Sequence, residues 1–158
     1  MTLKVYLGID PGKSGALAIV DSDGGLVEAT DYPGDVCAAA SIVRDWRTVH
    51  GASIERAAIE LVHSMPGQGV KSMFSFGENY GAWQGILAAL FIPFILVKPQ
   101  QWQKGVIRPG DGADAKARSL AVARRMFPDA ELSRKKDHGK ADALLLADYA
   151  RRWANGNS

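Results

Sequence analysis

The sequence predicts an α/β fold: a mixed five-stranded sheet in which three antiparallel strands are followed by parallel additions, flanked by helices. Three observations predict it. Short β-rich segments open the chain, separated by turns too brief for a crossover. Later β-rich segments are separated by stretches of helical periodicity, as parallel pairing requires. Finally, 158 residues with 47% hydrophobic content are enough for one domain with a real core and leave no room for a second of ordinary size, so residues 1–158 read as a single domain.

The elements follow in order. Residues 3–9 are apolar and β-rich, 16–20 repeat that character after a Gly-rich turn, and 26–30 follow Asp23-Gly24-Gly25, a hairpin-turn signal. Residues 36–49 carry apolar side chains at helical spacing, with Asp35 as N-cap and Gly51 as a stop. Residues 56–62 read as a buried strand. After a loop containing Met65-Pro66-Gly67, residues 80–91 read as a helix and 94–97 as a short strand. Residues 113–127 form a basic amphipathic helix ended by Pro128, and 141–153 form the last helix. Two loops expected to be mobile, 108–114 and 133–139, flank the basic helix. The order βββαβαβαα resembles the arrangement of an RNase H-like domain.

Several function classes are excluded. The single Cys37 forms no intramolecular disulfide, no Cys/His zinc spacing exists, and the Met1 end lacks a charged-then-apolar signal pattern, so a reducing cytoplasm is expected. The apolar run 86–97 is interrupted by Pro93 and is far shorter than the roughly 20 residues of a spanning helix, so no membrane crossing is expected. The net charge of +2 hides an asymmetry: residues 1–97 carry 6 Lys/Arg against 10 Asp/Glu, and residues 98–158 carry 13 against 7. That distribution suits a chain that gathers carboxylates at one point and faces a polyanion around it.

Three carboxylates stand out. Asp10 follows an apolar strand in Leu7-Gly8-Ile9-Asp10-Pro11-Gly12, although Asp-Pro-Gly is also an ordinary turn sequence. Glu60 lies between Ile59 and Leu61, where a buried carboxylate is costly unless something pairs it; a salt bridge or an edge position is the alternative. Asp142 opens an apolar helix, a place the helix dipole also favours. His138 lies four residues before Asp142 and shares its face if the helix begins early, whereas Asp137 points there only from a non-helical lead-in. One of the two completes the site. Such carboxylates repel and take up protons unless a hard divalent cation neutralises them. Two Mg²⁺ ions roughly 4 Å apart, with Mn²⁺ as a substitute, would activate water for attack on a DNA phosphate. No nucleophilic triad or P-loop offers an equally coherent chemistry, and no small-molecule substrate is expected.

Gly8-Ile9-Asp10-Pro11-Gly12, Glu60 at a strand end and the run His138 to Ala147 together resemble the RuvC-type Holliday-junction resolvases over most of the chain. The phage-type and chloroplast branch is indicated by Gly77-Glu78-Asn79-Tyr80-Gly81-Ala82-Trp83-Gln84-Gly85, Pro99-Gln100-Gln101-Trp102-Gln103-Lys104 and Lys136-Asp137-His138-Gly139. The resemblance implies a homodimer that makes two symmetric nicks across a four-way DNA junction, leaving 5′-phosphate and 3′-hydroxyl ends. It matches Asp10, Glu60 and Asp142 to the metal-binding acids and either Asp137 or His138 to the fourth ligand. Lys104 and Lys116 fall where such enzymes place lysines near the scissile phosphate. For a phage-encoded protein, the compartment would be the bacterial host's cytoplasm.

DNA contacts are expected from two further regions. The stretch 64–80 combines Gln68, Lys71, Phe74, Phe76 and Tyr80, a mixture of donors, a cation and aromatics suited to gripping a backbone and stacking on unpaired bases. Lys13 in the first turn, then Lys116, Arg118, Arg124 and Arg125 of the basic helix, followed by Arg134, Lys135 and Lys136, would meet phosphates. The helix 80–91, with Trp83, Ile86, Leu87 and Leu90, offers either a dimer surface or a core face. Competing readings are an RNA:DNA hybrid hydrolase or pre-resolvase-type nuclease, an actin-like ATPase fragment suggested by the residues 8–15, and a non-catalytic junction binder.

Overall fold

The computed structural model describes residues 2–62 and 66–156; Ser64 and Met65, named above, lie outside the described residues. The strands are β1 (Leu3–Asp10), β2 (Ala16–Asp21), β3 (Leu26–Asp31), β4 (Ala52–Glu60) and β5 (Phe94–Val97). The helices are α1 (Val36–Val49), α2 (Val70–Ala89), α3 (Pro99–Gln103), α4 (Ala115–Met126) and α5 (His138–Ala154). One sheet holds all five strands in the order β3-β2-β1-β4-β5. The first three form an antiparallel meander, and β4 and β5 add in parallel beyond β1.

Alternation along the strands divides the core between the two faces. Val5, Leu7 and Ile9 of β1 join Ala57 and Ile59 of β4 under α1 and α2, with Trp46, Trp83 and Leu87. Tyr6 and Ala58 point the other way, under α4 and α5, with Trp102, Leu120, Phe127 and Leu144. Helix α5 crosses β1 at Gly8, where a Cβ would run into the backbone of Ala143 and Ala147. Only glycine lets helix and strand backbones come this close.

The structure differs from the sequence reading in several places. Strand β4 begins at Ala52 rather than residue 56, because Ala52 and Ile54 alternate with the partly exposed Ser53 and Glu55. It ends at Glu60 rather than 62, although Leu61 N–H still donates to the Val97 carbonyl at 2.7 Å. Helix α2 starts at Val70 rather than Tyr80, so most of the expected DNA-gripping loop is helix. Gly77, Gly81 and Gly85 lie on its exposed face. Trp83, Ile86 and Leu87 are buried in the core, so they supply no free dimer surface. The segments read as loops contain short 3₁₀ turns at Pro109–Asp111 and Lys135–Asp137. No described helix is long and apolar enough to cross a membrane.

Candidate active site

The period-2 alternation that sorts the core also aims two acids. Asp10 continues the Tyr6 and Gly8 row of β1, and Glu60 continues the Ala58 row of β4, so both belong to the α5 face. Parallel register pairs Ile9 with Ile59, which leaves Asp10 and Glu60 side by side at adjacent strand ends. The strands supply two acids; α5 supplies the third. It begins at His138, and its close approach at Gly8 lays its first turns over the end of β1. A Cβ on Gly139 would sit 2.8 Å from the Ser14 carbonyl oxygen and 3.6 Å from Oδ2 of Asp10. Asp142 lies one turn beyond His138 on this helix.

Electrostatics couples the three. Burial pushes the Asp10 carboxyl well above its ordinary range, and the charges of Asp142 and Glu60 push it further, against a smaller pull from Lys116. Burial is also the main cause that raises Asp142 to about 7, opposed by a hydrogen bond from Ser119, reinforced by Glu60 and opposed again by Lys116. Glu60 is raised by burial, partly countered by the Trp102 indole. Oδ1 of Asp142 is buried with no hydrogen-bond partner among the described residues. Among those residues no group of three His, Cys, Asp or Glu side chains closes around one point as a metal-ligand set. Buried carboxylates near one another repel and take up protons unless a divalent cation neutralises them. A partnerless buried carboxylate oxygen within an all-oxygen acid set fits a hard cation such as Mg²⁺.

Asp137 and His138 go separate ways. The Asp137 side chain, 1% exposed, accepts from Arg134 at 2.6 Å and lies 3.3 Å from the Lys140 ammonium. It also accepts from the Arg134 backbone N–H at 2.8 Å. These partners, with Arg134 foremost, hold its carboxyl far below the usual carboxylate range. Both oxygens of Asp137 are thus engaged by the cations of Arg134 and Lys140 and by a backbone N–H. Burial, and then the nearby Lys116 charge, lower the His138 imidazole from its ordinary range, and His138 lines a cleft with Lys116.

No family model matches the chain. A curated relative, the chloroplastic Holliday junction resolvase MOC1 of Chlamydomonas reinhardtii, is 33% identical over 94 residues, which is 58% of this chain and 10% of the relative. The chain therefore spans about one tenth of that relative's length. Among solved structures, T. thermophilus RuvC in complex with Holliday junction substrate superposes with a TM-score of 0.67 at 19% identity, covering 99% of this chain and 98% of that one. A second Thermus thermophilus RuvC structure gives 0.64 at 22% identity with the same coverage. The fold is RNase H-like.

Within this RNase H-like frame, the other expected residues form two clefts and a remainder. Lys116, Lys135, Lys136 and His138 line a cleft of about 620 Å³ together with Arg124 and Asp114. Lys13, Lys71 and Phe76 line another of about 540 Å³, with Gly12, Ser72 and Ser75. Phe76 stacks on Tyr80 with ring centroids 6.3 Å apart, and Phe74 is 69% exposed. Lys104 and Gln68 are exposed. Three arginines are engaged in holding loops: Arg118 donates to Gly112 O, Arg124 to Leu132 O, and Arg134 to Asp137. Arg125 lies elsewhere, 3.4 Å from Asp111.

Three residues at the site escaped the sequence reading. Asn79, buried on α2, accepts from the Gly12 N–H at 2.8 Å and so ties down the turn that follows Asp10. Ser119 is buried on α4 and Trp102 on α3. A tryptophan among glutamines is the one visible signal, since a buried indole needs an acceptor for its N–H.

Proposed function

We propose that this chain is a Holliday-junction resolvase: a divalent-metal endodeoxyribonuclease that nicks four-way DNA junctions. The observation that carries the reading is the convergence of Asp10, Glu60 and Asp142 from two strand ends and one helix, next to a cleft lined by Lys116, Lys135 and Lys136. The MOC1 and RuvC likenesses supply the junction as substrate.

Asp10, Glu60 and Asp142 would hold the metal, with His138 rather than Asp137 as the fourth ligand, because Asp137 is occupied by Arg134 and Lys140. Two Mg²⁺ ions, or Mn²⁺ in their place, would supply an activated water and stabilise the departing 3′ oxygen. The chain's own residues do the rest. Lys116 faces the acids electrostatically and moderates their mutual repulsion, and it offers a cation to the phosphate. Lys135 and Lys136 hold the neighbouring backbone, and Lys13 and Lys71 hold it in the second cleft. Phe74, exposed on α2, stacks on an unpaired base. Lys104 and Gln68 add contacts at the rim.

The working form is a homodimer, since a four-way junction presents two equivalent strands and a two-fold axis sets one site on each. With Trp83 and Leu87 buried, its contact uses the outward face of α2, where Gly77, Gly81 and Gly85 permit close approach. The compartment is the cytoplasm, that of the bacterial host for a phage-encoded chain.

The decisive experiment is cleavage of a synthetic four-way junction. Wild type cuts it with Mg²⁺, and Asp10→Asn binds without cutting. Equal cutting of plain duplex, or cutting without divalent metal, overturns the reading. A preference for RNA:DNA hybrid transfers the site to a different nuclease class.

A further inference from the structure

Resting on that metal-nuclease reading, we infer that Trp102 is a positioning residue that sets the orientation of the Glu60 carboxylate. Its indole Nε1–H donates to Glu60 Oε1 at 3.0 Å, across 42 residues of sequence. Indole is a donor only, with a single N–H, so the direction of the bond is unambiguous. Trp102 is 1% exposed and belongs to the core cluster that also holds Ala58, Val97, Leu120 and Leu144, so its ring is held by the core.

Glu60 is a long side chain at the last residue of β4, with its backbone still paired to Val97. A glutamate there has several rotamers to choose from, and mutual repulsion with Asp10 and Asp142 favours those that turn away. One buried donor on Oε1 selects against them and leaves Oε2 for a metal. The anchor is stiff on both sides. Glu60 pairs with Val97 in register, Leu61 N–H bonds the Val97 carbonyl, and Lys98 caps the helix that carries Trp102. The ring also touches the same core that seats Leu120 of α4 and Leu144 of α5, the helices bearing Lys116 and Asp142. Trp102 thus references Glu60 to the body of the site. Partners of this kind typically control metal affinity by about 10–100-fold.

The test replaces the donor and keeps the shape. Trp102→Phe removes the N–H with some loss of volume; benzothienylalanine at the same position keeps the bicycle and lacks only the N–H. Mn²⁺ binding to the DNA-free protein is measured by titration calorimetry, beside junction affinity in Ca²⁺. Both variants are expected to bind Mn²⁺ about 10-fold more weakly while junction affinity stays within about twofold. If Trp102→Phe fails to fold, the analogue alone decides. An analogue that binds Mn²⁺ as tightly as wild type overturns the role of Trp102. A wild type that binds no Mn²⁺ overturns the metal-nuclease reading itself, and the inference with it.

Discussion

Asp137 and Asp142 stand five residues apart around the start of α5, and their surroundings are opposite. Asp137 is enclosed by Arg134 and Lys140 and is held firmly ionised. Asp142 is buried, with the charges of Glu60 and Asp10 near it; burial foremost pushes it up to about 7, and one of its oxygens has no partner among the described residues. The first arrangement contributes stability, since the charges already satisfy one another. The second costs stability and is tolerable where something else, a cation, completes it. An acid's partners, more than its position in the chain, decide whether it builds or works.

The comparison breaks most visibly at Asp142. Asp142→Asn is expected to lower junction cleavage by more than about 100-fold, since a ligand outweighs the 10–100-fold that supporting partners cost. Binding measured in Ca²⁺ should persist. Next comes the contrast at the fourth position: His138→Ala loses about 10–100-fold in Mn²⁺ affinity, while Asp137→Asn leaves it within a few-fold. The reverse result in calorimetry would exchange their roles.

Asp137→Asn should instead appear in stability. Urea unfolding is expected to show a loss of about 2 kcal/mol, below the roughly 3–5 kcal/mol of a fully buried pair because Arg134 is half exposed. The two acids also predict opposite pH trends. Asp142 is raised from 3.8 to about 7, so the folded state holds an extra proton in that window, and metal-free stability should rise as pH falls from about 7 to 4. Asp137 is lowered from 3.8, so its contribution is present above that pH and is lost on further acidification. Thermal melts in EDTA across pH 3 to 8 would show this dome, and Asp142→Asn should flatten its neutral side. The smallest effect is electrostatic: replacing both Lys135 and Lys136 by Ala should weaken junction binding and reduce the slope of log affinity against log salt by about 1 to 2. An unchanged slope would remove those lysines from the DNA surface.

Much of the candidate site was legible in the sequence. Asp10 at the end of an apolar strand and Glu60 inside another are recognisable because strand alternation leaves a charge among apolar neighbours conspicuous. Helix α2 was only half legible. Its glycines and serines depress helix propensity over residues 69–81, and packing of Asn79 and Trp83 against the sheet overrides that preference. Ser119 carried no signal as a site residue, and Trp102 only its place among glutamines, since each acts through a contact made across the fold.

By itself, then, the sequence determined the α/β class, the strand meander, and which acids at strand ends and helix start are candidates for a site, all of which follow from local periodicity and the cost of burying charge. Only the tertiary structure decided that Asp137 is taken up by Arg134 and Lys140, which face of α2 is core, and which donor holds Glu60. The physical reason is rotation: periodicity says which residues share a helix face, and packing alone sets where that face points.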